Sequence, residues 1–251
     1  MLSPAGPPPP SERTGCLGVL WLLVKMPFMV LRAVPHTGAL LRREAATDSG
    51  RRARTWEELT PADDQAAVAA ALDEVKSHDA GFDLAATTRA VAGARRVVDQ
   101  ARQTGDASVA RPVLSDGLWR VFVLLLDERA AHGVVRQGTS AVVGADVVAA
   151  ARDQLAEQLR IRLACRGERY EVADGVVLRG QPGQKDWSED WIIRRSADAA
   201  TPARGGVLSG LCPQCGAPLQ VDEGGSCAYC RALVLSGGRD WVVWSIEEAP
   251  W

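Results

Sequence analysis

Four of the six cysteines fall into two Cys-x-x-Cys knuckles, Cys212-Pro-Gln-Cys215 and Cys227-Ala-Tyr-Cys230, with eleven residues between Cys215 and Cys227. Two cysteines at this spacing span two corners of a tetrahedron, and thiolates suit a borderline-soft d¹⁰ cation. The pattern predicts a two-stranded ribbon closed on one Zn²⁺ ion. Gly216 follows the first knuckle, where the chain must turn sharply, and Asp222-Glu223-Gly224-Gly225 has the composition of a hairpin tip. Cysteine at all four positions reserves no place for water, so the ion is structural and not catalytic. The competing reading is a pair of disulfides in an extracytoplasmic domain. Bridges within a knuckle are strained at this spacing, and bridges between knuckles compete with metal.

With 251 residues, 47% of them hydrophobic and 24% charged, the chain holds one medium globular domain and small appendages. A net charge of -2 counts against a nucleic-acid module, and between residues 204 and 239 the basic residues are Arg204, Arg231 and Arg239. The remaining cysteines, Cys16 and Cys165, stand far apart in the chain. That usage fits a reducing cytoplasmic compartment better than a secreted disulfide framework.

Residues 1–15 are Pro-rich and predicted to be disordered. The apolar run CLGVLWLLVKMPFMVLRAV follows over 16–34, with Gly18, Lys25 and Arg32 seven apart, one narrow stripe on a helix. Trp21, Lys25, Phe28 and Arg32 are its predicted membrane contacts. Lys25 and Pro27 interrupt a span of about 20 residues, so an interfacial helix, a spanning helix and a soluble partner helix all stay open. Arg42, Arg43, Arg51, Arg52 and Arg54 in the basic linker 35–59 favour a cytoplasmic location for the rest of the chain.

The elements that must carry any site come next. Thr60-Pro61 opens a helix to about Lys76, Phe82-Asp83 opens a second from Leu84 to about Gln103, and Ser115 caps a third through Leu118, Phe122, Leu125 and Leu126. Strands are predicted over 141–150, 158–166, 168–173, 176–178 and 188–195. Helices first and strands afterwards indicate an α+β fold with helices on one face of an antiparallel sheet.

Gly81-Phe82-Asp83, Gly105-Asp106, Leu114-Ser115-Asp116-Gly117-Leu118-Trp119, Tyr170-Glu171-Val172 and Glu189-Asp190-Trp191-Ile192-Ile193-Arg194 occur in the order seen in a known domain. Over residues 60–196 the chain resembles the Tim-44-like family, the domain of the mitochondrial inner-membrane translocase subunit 44. Its bacterial type adds a C-terminal zinc ribbon and a Trp-centred tail, matched here by 210–236 and by Asp240-Trp241-Val242-Val243-Trp244 within 237–251. The resemblance implies a fold of the nuclear transport factor 2-like superfamily, a cone-shaped antiparallel sheet wrapped by helices around a concave pocket, with 197–209 as linker. The second helix of relatives is rich in Phe and Trp; Thr87, Thr88, Val97 and Val98 stand there instead.

Tyr170, Trp187 and Trp191 are the candidate pocket residues, the two tryptophans sharing one face of a strand as core packing or as a stacking surface. Asp116, Asp174, Asp186 and Glu189 are further candidates if the pocket is catalytic, and three of them have a plainer reading: a helix N-terminus for Asp116, a hairpin turn for Asp174, and a same-sheet polar pair with Arg194 or a solvent-facing position for Glu189. No acid is paired with a base by the order of residues. The expectation is a non-enzymatic binding or scaffold protein at the cytoplasmic face of the membrane, with a pocketed α+β domain for its ligand or partner. The resemblance implies a role for it in membrane scaffolding or in assisting protein translocation. Its partners would be membrane lipid, a protein or a small apolar ligand, and not nucleic acid. The alternative is an isomerase- or dehydratase-like enzyme using the cone pocket.

Overall fold

The computed structural model describes residues 65–248; the predicted N-terminal segments, with Trp21, Lys25, Phe28 and Arg32, and the helix start at Thr60-Pro61 lie outside them. Helix α1, Gln65–His78, buries Val68, Leu72 and Val75, one stripe at intervals of three and four. Helix α2, Leu84–Thr104, starts where the Asp83 carboxylate accepts from Ala86 N and stops at Gly105, whose φ of 72° is the left-handed conformation that ends helices. A 3-10 turn, Ala107–Ala110, leads to α3, Asp116–Ala131, capped by Ser115.

Five strands then form one curled antiparallel sheet: β1 Val135–Gln137, β2 Ser140–Arg152, β3 Ala156–Ala173, β4 Val176–Ser196 and β5 Val242–Glu248. The order is β1-β3-β4-β5, and β2 pairs with β3 along the same edge as β1, one after the other. The architecture is α+β, with helices and a half-barrel sheet.

Two predicted breaks do not occur. Strands expected over 158–166 and 168–173 are one strand, and those expected over 176–178 and 188–195 are also one. Gly167 explains the first: at φ 147° it sits at a register shift, and a Cβ there would meet Thr139 O at 2.2 Å. Glycine thus bends β3 without ending its pairing, which curls the sheet. Across from it, Gly183 N donates to Glu168 Oε1 at 3.0 Å, holding β4 through its own Gly-Pro stretch.

The inner face of the sheet carries Leu159, Ile161, Leu163 and Cys165 from β3 and Trp187, Glu189, Trp191, Ile193 and Arg195 from β4, alternate residues of each strand. Val91, Ala94, Val98 and Ala101 of α2 join those apolar residues in one core. Within the segment read from the sequence as a tail, Val242–Glu248 form β5, the sheet's outer strand. Its neighbours Val242 and Val243 point to opposite sides. Val243 enters the main core, whereas Val242 enters a second core with Val207, Cys212, Leu219, Cys227, Val234 and Leu235. One strand therefore ties the cysteine module to the half-barrel.

Candidate metal centre and buried charge network

The two knuckles fold alike. Gly216 N donates to Cys212 O and Arg231 N to Cys227 O, both at 2.8 Å; Cys212 N donates to Ala217 O at 2.8 Å and Cys227 N to Ala232 O at 2.9 Å. The residue after each knuckle has positive φ, 73° at Gly216 and 63° at Arg231. This repeated turn brings Cys212, Cys215, Cys227 and Cys230 together, their sulfurs all within 4.8 Å of one another. Cys212 and Cys227 are buried and Cys230 is exposed.

Four thiolates about 2.3 Å from a tetrahedral ion lie about 3.8 Å apart, and a disulfide needs about 2.05 Å. Cys212 Sγ and Cys230 Sγ are 3.7 Å apart, and no disulfide joins any of the four. The cluster can therefore hold a metal ion. Burial pushes the Cys212 thiol up to about 12. Burial also raises Cys227, but the amides of Cys230 and Tyr229 and the neighbouring thiols outweigh it and bring that group down to about 7. Cys227 is the sulfur of that pair readier to ionise and accept a cation.

The module is pinned to the half-barrel by polar contacts. Val207 N donates to Asp240 Oδ2 at 2.6 Å, and Arg111 Nη2 reaches both Glu223 O, at 3.0 Å, and the Asp116 carboxylate at the start of α3. Asp116 is thus an anchor for Arg111 as well as a favourable charge at a helix N-terminus.

Inside the half-barrel, the predicted pocket residues separate. Trp187 and Trp191 face inward around Glu189, and Trp191 has no accessible surface. Tyr170 lies between buried Arg169 and Glu171 on β3, so alternation turns it to the other face. The three do not line one cavity. Asp174, at φ 50°, and Gly175, at φ 77°, form the turn between β3 and β4, and Asp186 pairs with Arg166 in solvent at 2.7 Å.

Glu189 is neither solvent-facing nor paired with Arg194. It is fully buried, and Arg95 of α2 grips it with Nε at 3.2 Å and Nη2 at 3.1 Å. Trp187 Nε1 donates to it at 2.9 Å and Trp191 Nε1 at 3.0 Å. Burial alone would raise its carboxyl; the charge of Arg95 and hydrogen bonds from Arg95 and Trp187 prevail and hold it at about 2. Around this pair, Arg95 also meets Asp99 at 2.7 Å, and Arg102, Arg136 and Arg169 converge on Glu248 of β5. A second knot forms at the other end of β4. Arg195 binds Glu157 at 2.6 Å and Asp79 at 2.8 Å while lying 4.4 Å from the Trp241 ring and 5.9 Å from Phe82.

Sequence reasoning missed Arg95, Asp99, Arg195, Glu157 and Asp79. A signal existed for one of them: reading β4 strictly by alternation from Trp187 and Trp191 puts Arg195, like Glu189, on the buried face.

No family model matches the chain, and no curated protein matches it. Among solved structures it is similar to the intermembrane space region of the chloroplast protein ARC6, with 10% identity over 68% of this chain and 98% of that one and a TM-score of 0.37. A likeness at that score says nothing about activity or partners. The Tim-44-like resemblance rests on the residues quoted for it. Among the described residues no helix is long and apolar enough to cross a membrane.

Proposed function

We propose that this chain is a non-enzymatic binding or scaffold protein of the Tim-44-like type, with a ribbon that holds structural zinc. On this reading the apolar run 16–34 attaches it to the cytoplasmic face of the cell membrane, and its outer surfaces bind a protein, lipid or small apolar ligand.

The observation that carries this reading is the filled interior. Ile161, Leu163, Trp191 and Ile193 have no accessible surface, so no water-sized space lies against them. An enzyme of the isomerase or dehydratase kind needs that space for its substrate. Glu189, the carboxylate buried inside the half-barrel, is locked in charge pairs with its proton lost, which removes it as an acid near neutrality. Zinc is favoured over other cations by four thiolates in closed tetrahedral reach. Nucleic acid is disfavoured, because Arg239 near the ribbon is already bonded to Gln214 at 2.7 Å and the chain as a whole is acidic.

The test is fractionation of the full chain beside a chain beginning at Arg51, with salt and carbonate washes of the membranes. Pelleting by the full chain alone supports membrane attachment through 16–34, and survival of the carbonate wash makes it embedded. Two soluble chains overturn the membrane reading.

A further inference from the structure

Helix α2 turns one flank to the sheet and leaves another open. Ala86, Ala90, Gly93 and Val97 follow one another at intervals of four, three and four, a single stripe along that flank, with Ala86 exposed, the others half-buried and Val97 touching the main core. They floor a groove of about 640 Å³, walled on the far side by Leu208 and by Leu219 of the ribbon. A smaller cavity of about 220 Å³ continues it past Ala86 towards Thr201 and Trp241. From Ala86 to Val97 the floor runs about 16 Å, three helical turns.

Gly93 is the telling position. Glycine inside a helix costs about 1 kcal/mol against alanine, and nothing in the fold demands it here: an added Cβ would meet only the flexible end of Arg96, at 3.7 Å. The open space lies outside the chain, over the helix backbone. Such a floor of small residues lets a second backbone approach closely.

Along the larger groove the charge has one sign. Arg89 and Arg96 are both exposed and line it with no carboxylate, whereas Asp83 and Asp240 line the smaller cavity that continues it. Among the described residues neither of these arginines forms an ion pair, whereas Arg95, between them in sequence but on the buried flank, is fully engaged. The two guanidinium groups start two turns apart, about 10 Å along the axis, wider than one phosphate and matched by carboxylates seven residues apart on another helix.

We propose that the groove between α2 and the ribbon docks an acidic helix of a partner protein, its backbone lying over Gly93 and its carboxylates on Arg89 and Arg96. The inference rests on the binding-protein reading and names the chemistry of the protein partner.

The experiment uses the full, zinc-loaded chain and two labelled synthetic helices of about 18 residues. One carries Ala and Leu on one face with Glu residues seven apart beside it; the other has Lys in place of each Glu. Binding is followed by fluorescence anisotropy. The Glu helix is expected to bind and the Lys helix not, with the preference exchanged in the Arg89→Glu, Arg96→Glu double variant. Gly93→Trp, which places bulk in the open groove, is expected to weaken the Glu helix at least about tenfold. Equal binding of both helices, no binding, or wild-type affinity in a folded Gly93→Trp chain overturns the proposal. Should Gly93→Trp fail to fold, the double charge variant decides alone, since both arginines are exposed. Capture of phosphatidylglycerol vesicles that is lost in Gly93→Trp while neither helix binds identifies a lipid occupant and also overturns it. Membrane pelleting of the wild-type chain is read in parallel, so a failed groove is distinguishable from a failed attachment.

Discussion

Arg95 of α2 and Glu189 of β4, ninety-four residues apart in sequence, form a two-pronged ion pair with no accessible surface on Glu189 and almost none on Arg95. Two tryptophan indoles donate to the same carboxylate. The pair fixes how α2 sits on the sheet, because a buried carboxylate without its guanidinium is strongly unfavourable. It also fills the volume that a ligand pocket would need.

Removing one partner is therefore expected to be costly. Arg95→Met leaves Glu189 buried without its counter-ion and should destabilise the fold by about 3–5 kcal/mol. Replacing both, as Arg95→Met with Glu189→Leu, should recover much of that loss, because two desolvated charges disappear together. Urea unfolding of the two variants and the wild type tests this; equal destabilisation of the single and double variants contradicts it.

The same pair sets an acid limit. Glu189 has an ordinary value of 4.5 and is held at about 2 in the fold, so the unfolded chain binds its proton first as pH falls. Its contribution is full above about pH 4.5 and is lost progressively down to about pH 2, on the order of 3 kcal/mol in all. Glu248 is also lowered: burial raises it, but Arg102 and Arg136 outweigh that, so it adds to the loss in the same direction. Asp240 works the other way, since burial raises it. Thermal unfolding from pH 7 to pH 3 should show a falling midpoint, and the slope below pH 4.5 should be smaller in Glu189→Gln.

Metal removal should dismantle the ribbon first. One zinc per chain is expected by metal analysis, released by strong chelators and by acid as the thiolates take up protons. Cys212→Ser, at a buried ligand that also belongs to the ribbon core, should abolish zinc retention. Stoichiometric zinc in that variant contradicts the four-sulfur site.

Thiol chemistry separates the remaining described cysteine from the cluster. Cys165 is buried in the main core, and burial with the nearby Glu189 charge pushes its thiol up to about 11. In a Cys16→Ser background, chelation should expose four fast-reacting thiols to an aromatic disulfide reagent while Cys165 reacts only on unfolding. A fifth fast thiol in the folded chain counts against the assigned packing.

Arg231 marks a site for stabilisation. It occupies the left-handed position, φ 63°, that Gly216 fills in the first knuckle. A non-glycine residue there is strained by about 1 kcal/mol, so Arg231→Gly should raise the zinc-bound ribbon's stability by up to that amount. Part of the gain is offset by glycine's greater freedom in the unfolded chain. Competition for zinc against a colorimetric chelator measures the change, and weaker retention in Arg231→Gly contradicts it.

The sequence by itself determined what is local. Asp83 and Ser115 announced their helices because a cap needs a short polar side chain just before an apolar stripe, and the knuckles announced a metal-binding cluster because two residues between cysteines set the reach of both sulfurs. The α+β order was legible for the same reason, since periods of 3.6 and 2 are written along each segment. Tertiary structure decided everything that depends on which distant residue fills a space. Glycine at 167 could end a strand or bend one, and the choice fell to pairing with β2 and β4. Val242 and Val243 acquired different roles because two cores flank one strand. Glu189 became a buried, ionised hub in place of a surface charge because Arg95, supplied by another element, lowered the free energy of its burial. Electrostatic partners across ninety-four residues follow from packing, which a linear pattern does not encode.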